Sequence, residues 1–112
     1  IKDMVEDICK KREIVLEWNL IQRTKPASCD ERMNKLLSES VKESGYEMVE
    51  LVSGAGHDAV PVSEIAPVAM LFVKCFKGIS HNPAEDVDLQ DIAAAIRVSD
   101  TFLNKLIQSY NS

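Results

Sequence analysis

The sequence has no CxxC pair, only two histidines, no long apolar run and no excess of positive charge. Each lack removes a class of function. Cys9, Cys29 and Cys75 are odd in number and widely spaced, so no disulfide framework or cysteine-based zinc site is expected. They read as reduced thiols of a cytoplasmic protein. The longest apolar stretch, Ala66 to Val73, is interrupted by Pro67 and is too short to span a bilayer. Against 18 acidic residues stand 13 basic ones, a net charge of -5. That balance argues against nucleic acid or an anionic membrane surface as the main partner. Lys2, Asp3, Glu6 and Asp7 interrupt the first residues with charge, unlike a signal peptide. No internal repeat and no low-complexity segment occurs.

What remains is the composition of a folded soluble protein. The 112 residues are 46% apolar and 28% charged, one ordinary domain or a piece of one. The chain begins at Ile1 rather than Met, which suggests a fragment or a processed product.

Apolar periodicity gives a mixed pattern. Ile1, Met4, Val5, Ile8 and Cys9 predict an amphipathic helix to about residue 12. Ile14, Leu16, Trp18 and Leu20 alternate with Glu17 and Asn19, the period of a strand. Lys25-Pro26-Ala27-Ser28 reads as a linker, because proline pushes the residue before it out of the helical region. Ser28 and Glu31 have capping-box spacing ahead of Met33, Leu36, Leu37, Ser40, Val41 and Ser44, predicting a helix over 29–44. Gly45 then suits a left-handed helix end. Tyr46 to Leu51 predicts a short strand, and Asp58 a cap for a short helix through Ile65. Val68 to Cys75 predicts a strand buried on both faces. A loop from Phe76 to Val87 leads to Asp88 and a last helix, with Leu89, Ile92, Ile96, Phe102, Leu103 and Leu106 turned inward. Strands alternating with helices imply an α/β fold.

Both histidines fall in glycine-containing loops that follow expected strands. His57 lies in Ser53-Gly54-Ala55-Gly56-His57-Asp58-Ala59, and His81 in Lys77-Gly78-Ile79-Ser80-His81-Asn82-Pro83-Ala84-Glu85. Loops at the carboxyl ends of strands are where α/β sheets build sites. Parallel strands would bring both imidazoles to one sheet edge. The bland alternative at His57 is a loop histidine bonded to a carbonyl, and at His81 an exposed loop residue. Against it, Gly54 and Gly56 would let a ligand approach the backbone before His57. Glu85, four residues beyond His81, could orient its imidazole. Neither histidine makes a metal site alone, since zinc takes three or four ligands. Asp86, Asp88 and Asp91 read as helix-capping charge, and the cysteines as core filler.

Together, Ser53 to Ala59, Ala66 to Val73 and Gly78 to Glu85 resemble one family in that order and spacing. It is the carbamoyl-amidohydrolase branch of the binuclear-zinc deacylase and aminopeptidase superfamily, which includes allantoate and ureidoglycolate amidohydrolases, N-carbamoyl-L-amino acid hydrolase and β-alanine synthase. The resemblance implies an α/β fold: residues 26–112 as the C-terminal part of a metallo-aminopeptidase-like catalytic domain. Residues 1–25 would be the last helix and strand of an α+β lid, or dimerisation, domain. It implies His81 as a terminal ligand of one of two divalent metal ions, zinc or manganese. Gly56 and His57 would face the substrate, His57 acting at the scissile carbonyl, with Glu85 as support behind the metal ligand. The reaction implied is hydrolysis of a linear ureido or N-carbamoyl bond by metal-activated water. A small-molecule substrate, a homodimer formed through the lid, and no nucleic-acid or membrane partner complete the picture.

The family's other metal ligands, its general-base glutamate and the residues that hold the substrate carboxylate find no match here. These 112 residues alone are therefore expected to be inactive. Two alternatives stand beside this reading: a peptidase or N-acyl amino acid deacylase of the same superfamily, and a non-catalytic interaction module. The Ser53-to-Ala59 string favours the carbamoyl branch.

Overall fold

The computed structural model describes residues 1–111, with Ser112 outside the described part. Four α-helices are joined by extended and turn segments: α1 (Lys2–Lys11), α2 (Glu31–Glu43), α3 (Ala59–Val62) and α4 (Leu89–Tyr110). A single 3-10 turn, Phe76–Gly78, follows the third extended segment.

α2 forms where its apolar stripe requires. Met33, Leu36, Leu37, Val41 and Ser44 are half-buried, and Ser40 is fully buried. The Ser40 hydroxyl donates to the Leu36 carbonyl at 2.7 Å, which satisfies it inside the packing. The start of this helix corrects the expected capping box. Asp30, not Ser28, is the N-cap, and its carboxylate accepts from the Met33 N–H at 2.9 Å. A carboxylate there also complements the positive end of the helix dipole. The end is as expected: Gly45 has φ +87°, Tyr46 N–H donates to the Val41 carbonyl, and Gly45 N–H to that of Lys42. This is the paired closure that a left-handed residue allows.

α2 packs on α4, the one pair of helices in extensive contact among the described residues. The Arg32 guanidinium, in the first turn of α2, donates to Ser109 and lies 4.9 Å from the centre of the Tyr110 ring. Glu43, at the other end of α2, pairs with Lys105 at 2.8 Å. Side chains from both ends of α2 thus reach the last turns of α4. The hydrogen bond that Lys105 donates to the Glu43 carboxylate raises the Lys105 pKa above its ordinary 10.5. Its contribution is complete below that value and lost as pH rises through the raised one.

The face α4 buries is only partly the one expected: Phe102 and Leu106 turn inward as expected, and Leu89, Ile92, Ile96 and Leu103 do not. Ala94, Ala95, Val98, Phe102 and Leu106 turn toward the packed side, with Val98 only 4% exposed. Leu89, Ile92, Ile96 and Leu103 lie on the open side. α4 is apolar on two faces, and α2 occupies the one that carries the buried Val98.

No strand occurs among the described residues, which corrects the three expected over 14–24, 46–51 and 68–75. These segments carry no helix, yet no ladder forms between them. A strand exists only through a neighbour about 4.8 Å away. Segments 46–52 and 70–74 instead line a shared groove of about 980 Å³ under α2 and α4. Val68 is buried, and its carbonyl accepts from the Asp30 N–H at 2.8 Å, tying that segment to the start of α2. Further along, Phe72 is 46% exposed, so the expectation of burial on both faces also fails. No described helix is long and apolar enough to cross a membrane.

Candidate functional site

Segment 46–52 delivers the chain into Ser53, Gly54, Ala55, Gly56 and His57. The short helix α3 then begins after Asp58, which takes the N-cap position without a side-chain bond. The Val60 N–H donates to the His57 carbonyl at 2.9 Å, fixing the backbone just behind the histidine. Pro61 falls within the first turn, where its missing N–H has no helical partner to lose.

The imidazole is held from two sides. Its Nε2 lies 2.7 Å from Ser53 Oγ, while the Ala55 N–H donates to that same oxygen at 3.2 Å. The Phe72 ring meets the imidazole edge to face, with centroids 5.8 Å apart and planes at 73°. Phe72 comes from the extended segment after α3, so two distant stretches of chain meet at this ring. His57 is half-buried. Beside it, a Cβ added at Gly54 or Gly56 would meet no atom within 4 Å. Neither glycine is at positive φ, so neither is required by its own backbone conformation. The space at both glycines is open.

His81 sits on a loop closed at its neck by the Phe76 N–H, which donates to the Asp86 carbonyl at 2.8 Å. The residue is exposed and has φ +56°, a left-handed conformation that costs a side-chain-bearing residue about 1 kcal/mol. Glu85 offsets this by accepting the His81 main-chain N–H on Oε2 at 2.7 Å. The bond goes to the backbone, not to the ring. Asn82 Oδ1 accepts from the Ala84 N–H at 2.9 Å and stiffens the same turn.

Among the described residues, no hydrogen bond or ring contact joins the two histidine loops. No group of three or more histidine, cysteine or acidic side chains is placed to hold a metal ion among them. The described residues therefore do not fit a metal centre by themselves, although His81 is free to contribute one ligand. Cys9, Cys29 and Cys75 are free thiols and half-buried. Ser53 and Phe72 are the members of the site that sequence reasoning missed. The Ser53–His57 spacing was a usable signal, whereas the Phe72 contact depends on the tertiary path.

With this geometry in hand, comparison with known proteins places the chain. It belongs to peptidase family M20/M25/M40, matched over residues 5–105. Membership carries the metallopeptidase-like α/β fold of that family. Among its relatives, the chain is 36% identical to an N-carbamoyl-L-amino acid amidohydrolase of Geobacillus stearothermophilus over 93 residues, 83% of this chain and 23% of that protein. It is 33% identical to an allantoate amidohydrolase of Bacillus subtilis over 103 residues, 92% of this chain and 25% of the relative. It is 32% identical to a ureidoglycolate hydrolase of Arabidopsis thaliana over 107 residues, 95% and 22% respectively. These names agree with the carbamoyl-amidohydrolase resemblance carried by the two loops. The chain spans about a quarter of the length of these relatives. No solved structure matches it.

Proposed function

We propose that these residues serve a metal-dependent amidohydrolase that cleaves a linear ureido or N-carbamoyl C–N bond. Allantoate, ureidoglycolate and N-carbamoyl amino acids are the substrate class. The observation that carries the reading is the held imidazole of His57, next in sequence to the uncrowded Gly56, in a chain whose relatives bear those names.

In this reading His57 donates a hydrogen bond to the scissile carbonyl oxygen as charge develops there. Gly56 lets the substrate lie against the backbone, because no side chain occupies that space. His81 lends one ligand to a centre of two divalent ions, zinc or manganese, whose other ligands come from outside these 112 residues. Glu85 acts behind it, holding the loop through the His81 main chain. These residues alone, with one ligand, would be inactive.

The domain reading belongs to the same proposal. Residues 1–25 would close a lid domain that pairs two copies, and residues 26–112 would complete a catalytic domain in the cytoplasm. Exposed Ile14, Val15, Leu20 and Ile21 support a covered surface on the first part. Neither nucleic acid nor membrane is invoked as a partner.

The test compares two variants of the natural full-length protein. His57→Ala should lose about two orders of magnitude in turnover, as when one carbonyl-directed donor is removed, with metal content intact. His81→Ala should lower metal content together with activity. Wild-type turnover in the first variant, or wild-type metal in the second, overturns the corresponding assignment. Turnover of peptides or N-acyl amino acids in place of ureido compounds would move the protein to the deacylase side of the superfamily.

A further inference from the structure

We infer that Ser53 is a positioning residue that fixes which nitrogen of His57 carries the proton, so that Nδ1–H is the donor presented to substrate. This rests on the reading that His57 acts at the substrate carbonyl, and adds to it a tautomer and the group that sets it.

A serine hydroxyl has one proton to give and two lone pairs to accept with. The Ala55 N–H at 3.2 Å occupies one lone pair of Ser53 Oγ. Two acceptors then compete for the hydroxyl proton: His57 Nε2 at 2.7 Å and the Ala55 carbonyl at 3.5 Å. The longer contact lies at the limit of hydrogen bonding, and the shorter one is at the optimum for an O–H donor. The alternative, Nε2–H donating to the second lone pair of Oγ, would leave the hydroxyl proton only the 3.5 Å contact; the better-satisfied arrangement has Oγ–H donating to Nε2 as the bare nitrogen of a neutral imidazole. The ring proton is left on Nδ1.

Nδ1 has no hydrogen-bond partner among the described residues, so its N–H remains available. The edge contact with Phe72 opposes rotation of the ring out of this arrangement. A neutral imidazole with an undetermined proton would spend part of its time offering a lone pair to a carbonyl oxygen. That arrangement repels where a donor is needed. Ser53 removes it, without touching substrate.

The test uses the natural full-length protein with ¹⁵N-labelled histidine. The wild-type His57 ring should show the shift pattern of the Nδ1–H tautomer. Ser53→Ala should lose that bias and lower kcat about tenfold, the value of one ordinary hydrogen bond, with KM little changed. Ser53→Thr keeps the hydroxyl and should restore both the tautomer and most of the turnover. A wild-type ring protonated on Nε2 overturns the inference without requiring any variant. So does Ser53→Ala with tautomer and kcat unchanged, even if His57→Ala abolishes turnover. Wild-type turnover in His57→Ala is a different failure, and it removes the underlying reading of His57 itself.

Discussion

The Glu85 carboxylate accepts from the main-chain N–H of His81 at 2.7 Å, and His81 is in a left-handed conformation. The two facts belong together. A side chain four residues on secures a backbone angle that most residues avoid, and so aims the imidazole without touching it. Glu85→Ala should speed hydrogen exchange at the His81 amide about tenfold, the loss of one exposed hydrogen bond. Glu85→Gln keeps an acceptor oxygen and should largely preserve protection. Equal exchange in all three proteins would show that the turn holds itself. Much of this was readable beforehand: the spacing of His81 and Glu85 marks a local pair. That the bond would run to the backbone was not readable, because it depends on φ at His81. Similarly, Ser53 and His57 stand four residues apart in plain view, while Phe72 reaches them only through the tertiary path.

Helices were legible because their causes are local. Apolar spacing, Gly45 and the aspartates at 58 and 88 put α1 to α4 close to where the structure has them. The cap of α2 shows how far this goes. Ser28 and Glu31 satisfy the capping pattern, but the Asp30 main-chain N–H is taken by Val68, and that contact sets where the helix begins. Asp30→Ala should lower the stability of the α2–α4 pair by about 1 kcal/mol, and Ser28→Ala by almost nothing. Hydrogen exchange at the α2 amides in the natural full-length protein would read both. An equal loss in the two variants would return the cap to Ser28. Strands were the other outcome. Ile14 to Leu20 has strand periodicity and Val68 to Cys75 is continuously apolar, but periodicity states only which face wants cover. The ladder needs a partner, and among the described residues none is in register.

At the scale of the whole molecule, that missing partner becomes a surface. The radius of gyration is 20.2 Å, against about 13 Å for a compact domain of this length. Accessible surface is 9770 Å², about half as much again as a folded monomer of this mass exposes. Much of the difference is apolar: Ile14, Val15, Leu20 and Ile21 on one arm, and Leu89, Ile96 and Leu103 on the open face of α4. The groove between segments 46–52 and 70–74 adds unpaired main chain, which invites another strand. Covering about 400 Å² of apolar surface is worth about 10 kcal/mol before entropy is counted. That is comparable with the whole stability of a small domain. The 112 residues purified alone should therefore self-associate. Sedimentation velocity should show species heavier than a monomer, growing with concentration, and heating should give a broad transition with no single cooperative step. Neither behaviour depends on catalysis, so the prediction stands apart from the assignments of His57 and His81. A monodisperse monomer that melts in one sharp transition would show that α2, α4 and the extended segments close a sufficient core among themselves.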